Sequence, residues 1–539
     1  MEAELVPVNE GSIRVAARRG DQTPPGSRNT SRTEGQRRDA GDPGGSINAS
    51  SMGVKREGRP QRYAEPSPGV GLPRTTDETL EGNERAEGRG QPGRNSLWSA
   101  RVRTQSRDSS RLALQRVNDV AKRDKRARFT ALLHHVNVQS LERAFRRLKR
   151  KASAGVDGET VESYEHDLQR RLQDLCARIH TGRYRALPVR RAYNPKSDGG
   201  QRPLGVPALE DKILQSAVAE ILSAIYEADF LGFSYGFRPA RSPHQALQSL
   251  HTALMSQKVN WVLDADIRRF FDSVDHDWLL RMLAHRIADR RVLRLIAQWL
   301  KAGVMEQGEL QETTEGTPQG SGISPLLANV FLHYVLDLWA HRWRQTQARG
   351  RMIVVRYCDD FVMGFQCAPD ARSMLDALRS RLGKFGLTLH DEKTRLIEFG
   401  RLPAITRAKR GQRRPETFAF LGFTHYCAWT RTGSFVVKRR TQSKRLTAKL
   451  KELRQTAWRR MHAPIGEQQR WLCSVLRGHY AYYGLRSNLA SLATFYQEVC
   501  RLWFRVLRRR SQRALTWFDF ARLLARLPLP TPRLLGAAA

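Results

Sequence analysis

The chain has 539 residues, with 92 Lys and Arg against 53 Asp and Glu, so its formal charge is +39. A chain this basic is expected to bind a polyanion with strong salt dependence, because binding releases the polyanion's counterions. No apolar run approaches the roughly 18 residues of a membrane-spanning helix, the N-terminus lacks an apolar secretory signal, and the six scattered cysteines form no Cys-x-x-Cys pair. These features exclude a transmembrane protein, a zinc ribbon and a disulfide framework, and they predict a cytoplasmic location.

Residues 1–110 differ in composition from the rest of the chain. They are rich in Gly, Arg, Ser, Pro and Glu and nearly lack aromatic residues. This composition predicts a disordered basic extension, because it buries too little apolar surface to fold. Arg and Gly are interleaved at 85–90, as in an RNA-binding arm. The many acidic residues favour the other interpretation, a dispensable extension with Met52 as an alternative start.

Helical periodicity begins near residue 110 and marks the start of the folded region. Within 110–151 an apolar stripe has the spacing i, i+3, i+4, i+7, and its members are Leu141, Ala144, Phe145 and Leu148. A second helix is predicted from Tyr164 to Ile179. Helices and strands then alternate to about residue 430, with helix starts at 210–211 and 242–243.

Two apolar segments carry acidic residues at their ends. The run from Trp261 predicts a strand that ends at Asp266, beside a basic and aromatic sequence. Further on, the β-branched and aromatic residues of 352–355 and 361–365 flank Tyr-Cys-Asp-Asp at 357–360. This arrangement predicts a buried β-hairpin with two carboxylates at its tip.

Adjacent carboxylates inside a protein repel each other unless a cation lies between them. Mg²⁺ suits carboxylate oxygens and keeps open positions for phosphate, so the hairpin predicts a divalent-metal site for phosphoryl transfer. Asp-Asp is also common at ordinary turns. The second acid-bearing strand, which ends at Asp266, favours the metal site over that simpler interpretation.

Beyond a short hairpin-like segment at 431–434 the chain becomes helical and basic. The predicted helices cover 444–460, 468–483 and 492–510. Aromatic residues and arginines mingle there. The arginine runs favour an RNA-facing surface, whereas a core role for the aromatic residues stays open.

The acidic segments resemble the palm of a reverse transcriptase of the bacterial group II intron type. The similarity is carried by Asp-Ile-Arg-Arg-Phe-Phe-Asp at 266–272, followed by Tyr-Cys-Asp-Asp at 357–360. Other segments resemble blocks of that family in the same order, at 151–158, 202–207, 234–239, 316–320, 323–329, 387–390, 393–394 and 420–423. Less specific segments, at 478–483 and 508–512, resemble its maturase domain. The resemblance extends from about Phe129 to the C-terminus.

The resemblance implies an α+β fold of the right-hand polymerase type. Fingers and palm would occupy 111–430. An α-helical thumb and maturase (X) domain would occupy 431–539, and the disordered extension would occupy 1–110. One departure is Cys358, where Ala is the commonest residue of the family; both are small, so the implied activity stands.

The resemblance also implies a two-metal site. Two Mg²⁺ ions would be held by Asp266, Asp359 and Asp360, with Ile267 among the metal-binding positions. Asp266 and Asp359 would bridge the ions, and Asp360 would be auxiliary. Asp264 would share a strand face with Asp266 and serve as a supporting acid.

Substrate contacts are implied as well. They are Lys196, Arg202, Phe271 and Gln319 for the dNTP; Leu421, Gly422 and Phe423 for a primer grip; and Arg508, Arg509 and Arg510 for RNA. Lys196 and Arg202 flank a predicted tight turn, which would bring both cations onto one hairpin. Phe271 is favoured as the steric gate against a ribose 2′-hydroxyl, with Phe270 as a core residue.

The implied function is an RNA-dependent DNA polymerase that binds its intron RNA and promotes splicing and retromobility. Its partners would be intron RNA, target DNA and dNTPs, in a bacterial cytoplasm and near the nucleoid, with a homodimer left open. Two alternatives remain: a reverse transcriptase recruited for defence after losing its intron, and a non-enzymatic RNA chaperone, which the intact acids disfavour. No nuclease signature precedes Ala539, so cleavage of the second DNA strand is not expected.

Overall fold

The computed structural model describes residues 112–195, 200–317, 319–510 and 515–535. The extension predicted to be disordered lies outside these residues. Within them, helices and strands are mixed, and no helix is both long and apolar enough to cross a membrane. All six cysteines fall in the described part of the chain and are free thiols, as the scattered spacing predicts.

Helices form most of the described chain. In order they are α1 (112–123), α2 (Val138–Arg146), α3 (Val161–Glu165), α4 (Leu168–His180), α5 (Leu209–Asp229), α6 (Pro243–Ser256), α7 (His276–Ala284), α8 (Arg290–Lys301), α9 (Ser324–Leu332), α10 (Leu338–Thr346), α11 (Ala368–Gly383), α12 (Arg401–Lys409), α13 (Ser443–Arg459), α14 (Ile465–Tyr483), α15 (Leu489–Arg510) and α16 (Trp517–Arg526). A π-helical turn, His333–Asp337, joins α9 to α10.

The strands assemble into three sheets. They are β1 (Val189–Pro195), β2 (Gln201–Val206), β3 (Trp261–Asp266), β4 (Val304–Glu306), β5 (Glu309–Gln311), β6 (Met352–Tyr357), β7 (Asp360–Phe365), β8 (Arg395–Glu398), β9 (Phe418–Phe420), β10 (Phe423–Trp429) and β11 (Phe435–Thr441). The strand orders are β2-β1-β4-β5, β6-β7-β3-β8 and β11-β10-β9. The antiparallel hairpins β1–β2, β6–β7 and β10–β11 confirm the predicted hairpins.

The N-terminal helices follow the predicted stripe with one correction. Helix α2 begins at a capping box formed by Asn137 and packs its buried apolar residues toward α5. The single helix predicted from Tyr164 to Ile179 is wrong, because the structure divides it into α3 and α4. Asp167 has φ −125° and ψ 39°, outside the helical region, so the helical hydrogen bonds restart at Leu168.

The sheet containing β3 separates two apolar cores. On one face Leu263 and Met363 join the large core, and α11 packs against this sheet. On the other face Val262 and Val362 join a smaller core shared with α6 and with strands β9–β11. Side chains alternate between the faces of a strand, so Asp264 and Asp266 lie on the same face as Val262.

The C-terminal helices build a third core of their own. It contains buried side chains from α13 to α16, including Leu453, Leu476 and Trp503. The predicted helices at 444–460, 468–483 and 492–510 correspond to α13, α14 and α15, each within three residues at its start. The domain division predicted at 430/431 falls in the β10–β11 turn, and α13 begins at Ser443.

Candidate active site

Three carboxylates meet at one end of the sheet containing β3. Asp266 ends β3 and lies directly opposite Asp360, the first residue of β7. Directly opposed residues of antiparallel strands present their side chains to the same face. Asp359 occupies the two-residue β6–β7 turn next to them. The register therefore brings together acids that are nearly a hundred residues apart in sequence.

The turn that carries Asp359 has an unusual backbone. Cys358 adopts φ +59°, a left-handed conformation that is uncommon for residues other than glycine. A neighbouring segment passes close to it: the backbone N–H of Tyr235 donates to the Arg356 carbonyl at 2.9 Å. A Cβ atom on Gly236 would overlap the backbone of Tyr357 and Cys358, so only glycine permits this approach.

A buried ion pair holds the same turn from inside the protein. The guanidinium of Arg356 donates to the Asp337 carboxylate at 2.7 and 2.5 Å, to Asn329 Oδ1 at 2.9 Å and to the Cys358 carbonyl at 2.9 Å. Both ionic side chains are fully buried. Asn329 Nδ2 also donates to the Gly236 carbonyl at 2.6 Å. All of these hydrogen bonds are 2.9 Å or shorter, and those donated by Arg356 are charge-assisted. A buried network with its hydrogen bonds made in this way is rigid.

The carboxylates are held in an environment that resists their ionisation. Burial, followed by the charges of Asp264 and Asp359, raises the pKa of Asp360 to about 7. Burial also raises the pKa of Asp359, with a further contribution from Asp266 and an opposing one from Arg202. A cation bound between crowded, buried carboxylates would stabilise their ionised forms.

Two basic side chains already lie against the acids. Lys393 Nζ donates to Asp266 Oδ2 at 2.8 Å, and Arg395 donates to Asp264 Oδ2 at 3.3 Å. Lys393 is 60% exposed, so it reaches the site from the solvent side. Burial raises the pKa of Asp264, and the hydrogen bond from Arg395 opposes that shift. Asp264 is therefore already bonded to Arg395 on the neighbouring strand β8.

The residues predicted for the nucleotide lie on three different segments, so far as they are described. Arg202 is exposed on β2 and acts electrostatically on Asp359, whereas Lys196 lies outside the described residues. The Phe271 carbonyl accepts from Thr317 N at 2.7 Å, and the Gln319 carbonyl accepts from Gly205 N at 2.7 Å. The first contact connects Phe271 to Thr317, and the second connects Gln319 to β2.

The neighbouring aromatic pair is divided between core and surface. Phe270 is 2% exposed and belongs to the large core, which confirms its predicted core position. Phe271 is only partly buried. Ile267 is 3% exposed, so its side chain is unavailable and a metal contact at that position would use the backbone.

The segment predicted as a primer grip forms the tight β9–β10 turn. Leu421 and Gly422 adopt φ +47° and +82°. Phe423 is fully buried, so only its backbone could meet a ligand. The Tyr482 hydroxyl donates to the Leu421 carbonyl at 2.9 Å.

The arginines predicted to bind RNA occupy the last turn of α15. Arg508 and Arg509 are exposed. Arg510 is partly buried and donates to the Ala463 carbonyl at 2.8 Å, which ties α15 to the loop before α14. Cations at this position also stabilise the helix C-terminus. Of the three arginines, Arg508 and Arg509 are therefore the two whose side chains are accessible to an RNA ligand.

The donor set at the acid cluster fits a hard divalent cation. Three carboxylates provide oxygen ligands only, as Mg²⁺ prefers. Among the described residues, no group of three or more His, Cys, Asp or Glu side chains could hold a metal ion by itself. Mg²⁺ commonly takes one or two protein carboxylates and completes its shell with substrate phosphates and water, which agrees with such an open arrangement.

Several residues of this site were not assigned a role from the sequence. They are Gly236, Asn329, Asp337, Arg356, Lys393 and Tyr482. One signal was present: Arg356 lies inside an apolar strand, where a charge needs a partner. The sequence did not predict that this partner is Asp337, because the π-helical segment is what turns Asp337 toward Arg356.

Comparisons with known proteins place relatives of this chain among reverse transcriptases and intron-encoded proteins. The family model described as reverse transcriptase (RNA-dependent DNA polymerase) matches residues 194–425. Protein YkfC of Escherichia coli K12 is 34% identical over 276 residues, which cover 45% of this chain and 71% of YkfC. The group II intron-encoded protein LtrA of Lactococcus lactis subsp. cremoris is 36% identical over 195 residues, 35% of this chain and 32% of LtrA. Nuclear intron maturase 1 of Arabidopsis thaliana is 32% identical over 95 residues, 18% of this chain and 13% of that protein.

Proposed function

Because this chain belongs to the reverse transcriptases of the group II intron type, which are RNA-directed DNA polymerases, we propose that it copies RNA into DNA at Asp266, Asp359 and Asp360. The observation that carries the proposal is the register of β3 and β7, which sets Asp266 opposite Asp360 with Asp359 alongside. The chain spans about a third of LtrA, so substrates and partners are part of the proposal.

The acid cluster would hold divalent metal. Two Mg²⁺ ions at these carboxylates would supply Lewis acidity toward a primer 3′-hydroxyl and a triphosphate. Asp266 and Asp359 would bind both ions, Asp360 would be auxiliary, and the Ile267 carbonyl would complete the set. The raised pKa values of Asp359 and Asp360 support this assignment, because a bound cation offsets both the burial and the carboxylate repulsion that raise them.

Positive charge for the triphosphate would come from the β1–β2 hairpin. Arg202 acts on Asp359 across the site, which supports a position within reach of phosphates bound at the acids. Lys196 would join it from the other end of the hairpin turn. Phe271 would stand against the 2′ position of the sugar, and Gln319 would border the nascent base pair.

The larger architecture would be that of a right hand. Fingers and palm would extend over 111–430, and a thumb with a maturase domain over 431–539. The separate apolar core of α13–α16 supports a distinct helical unit. The turn at Leu421, Gly422 and Phe423 would support the primer strand.

The RNA partner would be the intron that encodes the chain. The net charge of +39 supports binding of a polyanion, and Arg508, Arg509 and Arg510 would contribute on the helical unit. We include target DNA and dNTPs as partners, and splicing and retromobility as the biological outcome. A bacterial cytoplasmic location near the nucleoid would follow.

Primer extension on an RNA template tests the polymerase proposal. Asp359→Ala or Asp266→Ala should abolish DNA synthesis by the purified full-length chain in Mg²⁺, because a metal ligand is lost. RNA binding, measured by filter retention at fixed salt, should stay close to wild type, because no positive charge is removed.

A matched variant controls for loss of an acidic side chain. Asp376 lies on α11 with 79% of its side chain exposed, so Asp376→Ala should extend primers normally. Robust extension by Asp359→Ala would refute the assignment of the acids. Absence of extension by the wild-type chain would refute the polymerase proposal itself.

A further inference from the structure

The β9–β10 turn is a strained element that needs external support. Leu421 has φ +47°, which for a residue with a branched side chain costs on the order of 1 kcal/mol or more. Gly422 follows with φ +82° and lies close to Tyr483 Oη and Arg445. Such a conformation persists only where neighbouring groups fix it.

Helix α14 supplies that support through Tyr482. Its hydroxyl donates to the Leu421 carbonyl at 2.9 Å, and its ring stacks on Phe423 with centroids 6.1 Å apart. His244 on α6 contacts the Tyr482 carbonyl at 2.7 Å, which holds the helix end in place. Burial, then the neighbouring Tyr483, raises the pKa of Tyr482. The hydroxyl therefore keeps its proton and can donate the hydrogen bond to Leu421.

The opposite side of the same peptide segment faces the acids. Strand β9 is the edge of its sheet, so it has backbone N–H groups that β10 does not use. Strand β9 packs against β7, which begins at Asp360. The backbone N–H of Ala419 lies near Asp264 and that of Leu421 near Asp360, where each opposes the rise in pKa that burial causes at its carboxyl. Leu421 thus has its N–H on the side of the acids and its carbonyl bonded to Tyr482.

We propose that Tyr482 is a positioning residue for the polymerase site, acting through the Leu421 backbone to place Asp360. The inference rests on the proposed function of the acids. It connects the C-terminal helical unit to the acid cluster through a single phenol hydrogen bond. Loss of that bond lets the strained turn relax and shift the Leu421 backbone, which lies beside Asp360 where β9 packs against β7.

The test removes one oxygen atom from each of two tyrosines on the same helix. Tyr482→Phe deletes the bond to Leu421. Tyr480→Phe is the matched control, because the Tyr480 hydroxyl donates to the Pro530 carbonyl at 3.1 Å, on the C-terminal tail. Both variants of the full-length chain lose one phenol-to-carbonyl hydrogen bond, which is worth about 0.5–1.5 kcal/mol.

The readouts are kcat and KM for single-nucleotide addition, a Mg²⁺ titration and thermal unfolding. We expect Tyr482→Phe to lower kcat by about 2- to 10-fold and to raise the half-maximal Mg²⁺ concentration, with KM for dNTP unchanged. Tyr480→Phe should match wild type in kcat and Mg²⁺ dependence.

Three outcomes would overturn the inference. They are an unchanged kcat for Tyr482→Phe, an equal fall in both variants, and a change confined to KM for the primer. Wild-type activity is the baseline for both variants, so failure of the polymerase proposal would be visible separately as an inactive wild-type chain.

Discussion

Gly236→Ala is expected to disable the site without touching any carboxylate. A Cβ atom at this position would lie 2.9 Å from the Tyr357 carbonyl carbon and nearer still to Cys358 N. Both are backbone atoms, so no side-chain rotation relieves the overlap. Gly236 does not have a positive φ, so the added methyl group acts through steric overlap alone.

The size of the displacement follows from these distances. Ordinary van der Waals contact begins at 3.4 Å, so relieving the contact with the Tyr357 carbonyl carbon alone needs a movement of about 0.5 Å, and the closer contact with Cys358 N needs more. Catalytic groups tolerate about 0.5 Å, and a misplacement of about 1 Å costs on the order of 100-fold. Because Asp359 directly follows Cys358, we expect kcat to fall by about 10- to 100-fold, with a stability loss of about 1–3 kcal/mol from overpacking.

Gly232 provides the matched control. No atom lies within 4 Å of a Cβ built at Gly232, so Gly232→Ala should keep wild-type activity and stability. Primer extension under single-turnover conditions and thermal unfolding of the three proteins give the comparison. A Gly236→Ala chain with wild-type kcat would refute the reasoning, as would an equal loss in Gly232→Ala.

Three further predictions concern neighbouring residues. Asp360→Asn in EDTA should equal wild type in stability at about pH 3, below the unfolded pKa, and exceed it by up to about 4 kcal/mol at pH 8. The reason is that the pKa rises from 3.8 to about 7 on folding, so wild-type stability falls as the pH rises across that window. Urea unfolding checks this, with the exposed Asp376→Asn as control, and a pH-independent difference would contradict it. Phe271→Ala should raise ribonucleotide incorporation relative to deoxyribonucleotide in a competition assay, and unchanged discrimination in an active variant would place the gate elsewhere. Arg356→Lys should lower both Tm and kcat. Arg286→Lys, which changes the buried pair with Asp229, should lower Tm alone. Equal kcat values for the two variants would mean that the Arg356 network serves stability only.

Local sequence predicted the strands of the acid site well. The apolar runs around Asp266 and the Tyr-Cys-Asp-Asp turn identify β3, β6 and β7, because period and residue type alone determine them. The pairing of Asp266 with Asp360 is a matter of register between distant strands. Their proximity was available only through the family resemblance.

Other features depend on tertiary contacts that no local pattern encodes. The break between α3 and α4 lies within a continuous helical pattern, and only the Asp167 backbone marks it. The partner of Arg356 depends on the π-helical turn before α10. Tyr482 meets Leu421 from 61 residues away, and nothing in its surrounding sequence distinguishes it from the other tyrosines of α14.

The sheet register has a consequence for how this chain tolerates insertions. Leu263 and Met363 face one core, while Asp264, Asp266 and Asp360 share the opposite face. A one-residue insertion inside β3 would reverse every side chain beyond it, sending carboxylates into the core and aliphatic side chains toward the acid cluster. Length variation is therefore expected to be purged from β3 and β7 and to accumulate at exposed connections such as 430–434, where the β10–β11 turn carries no buried side chain.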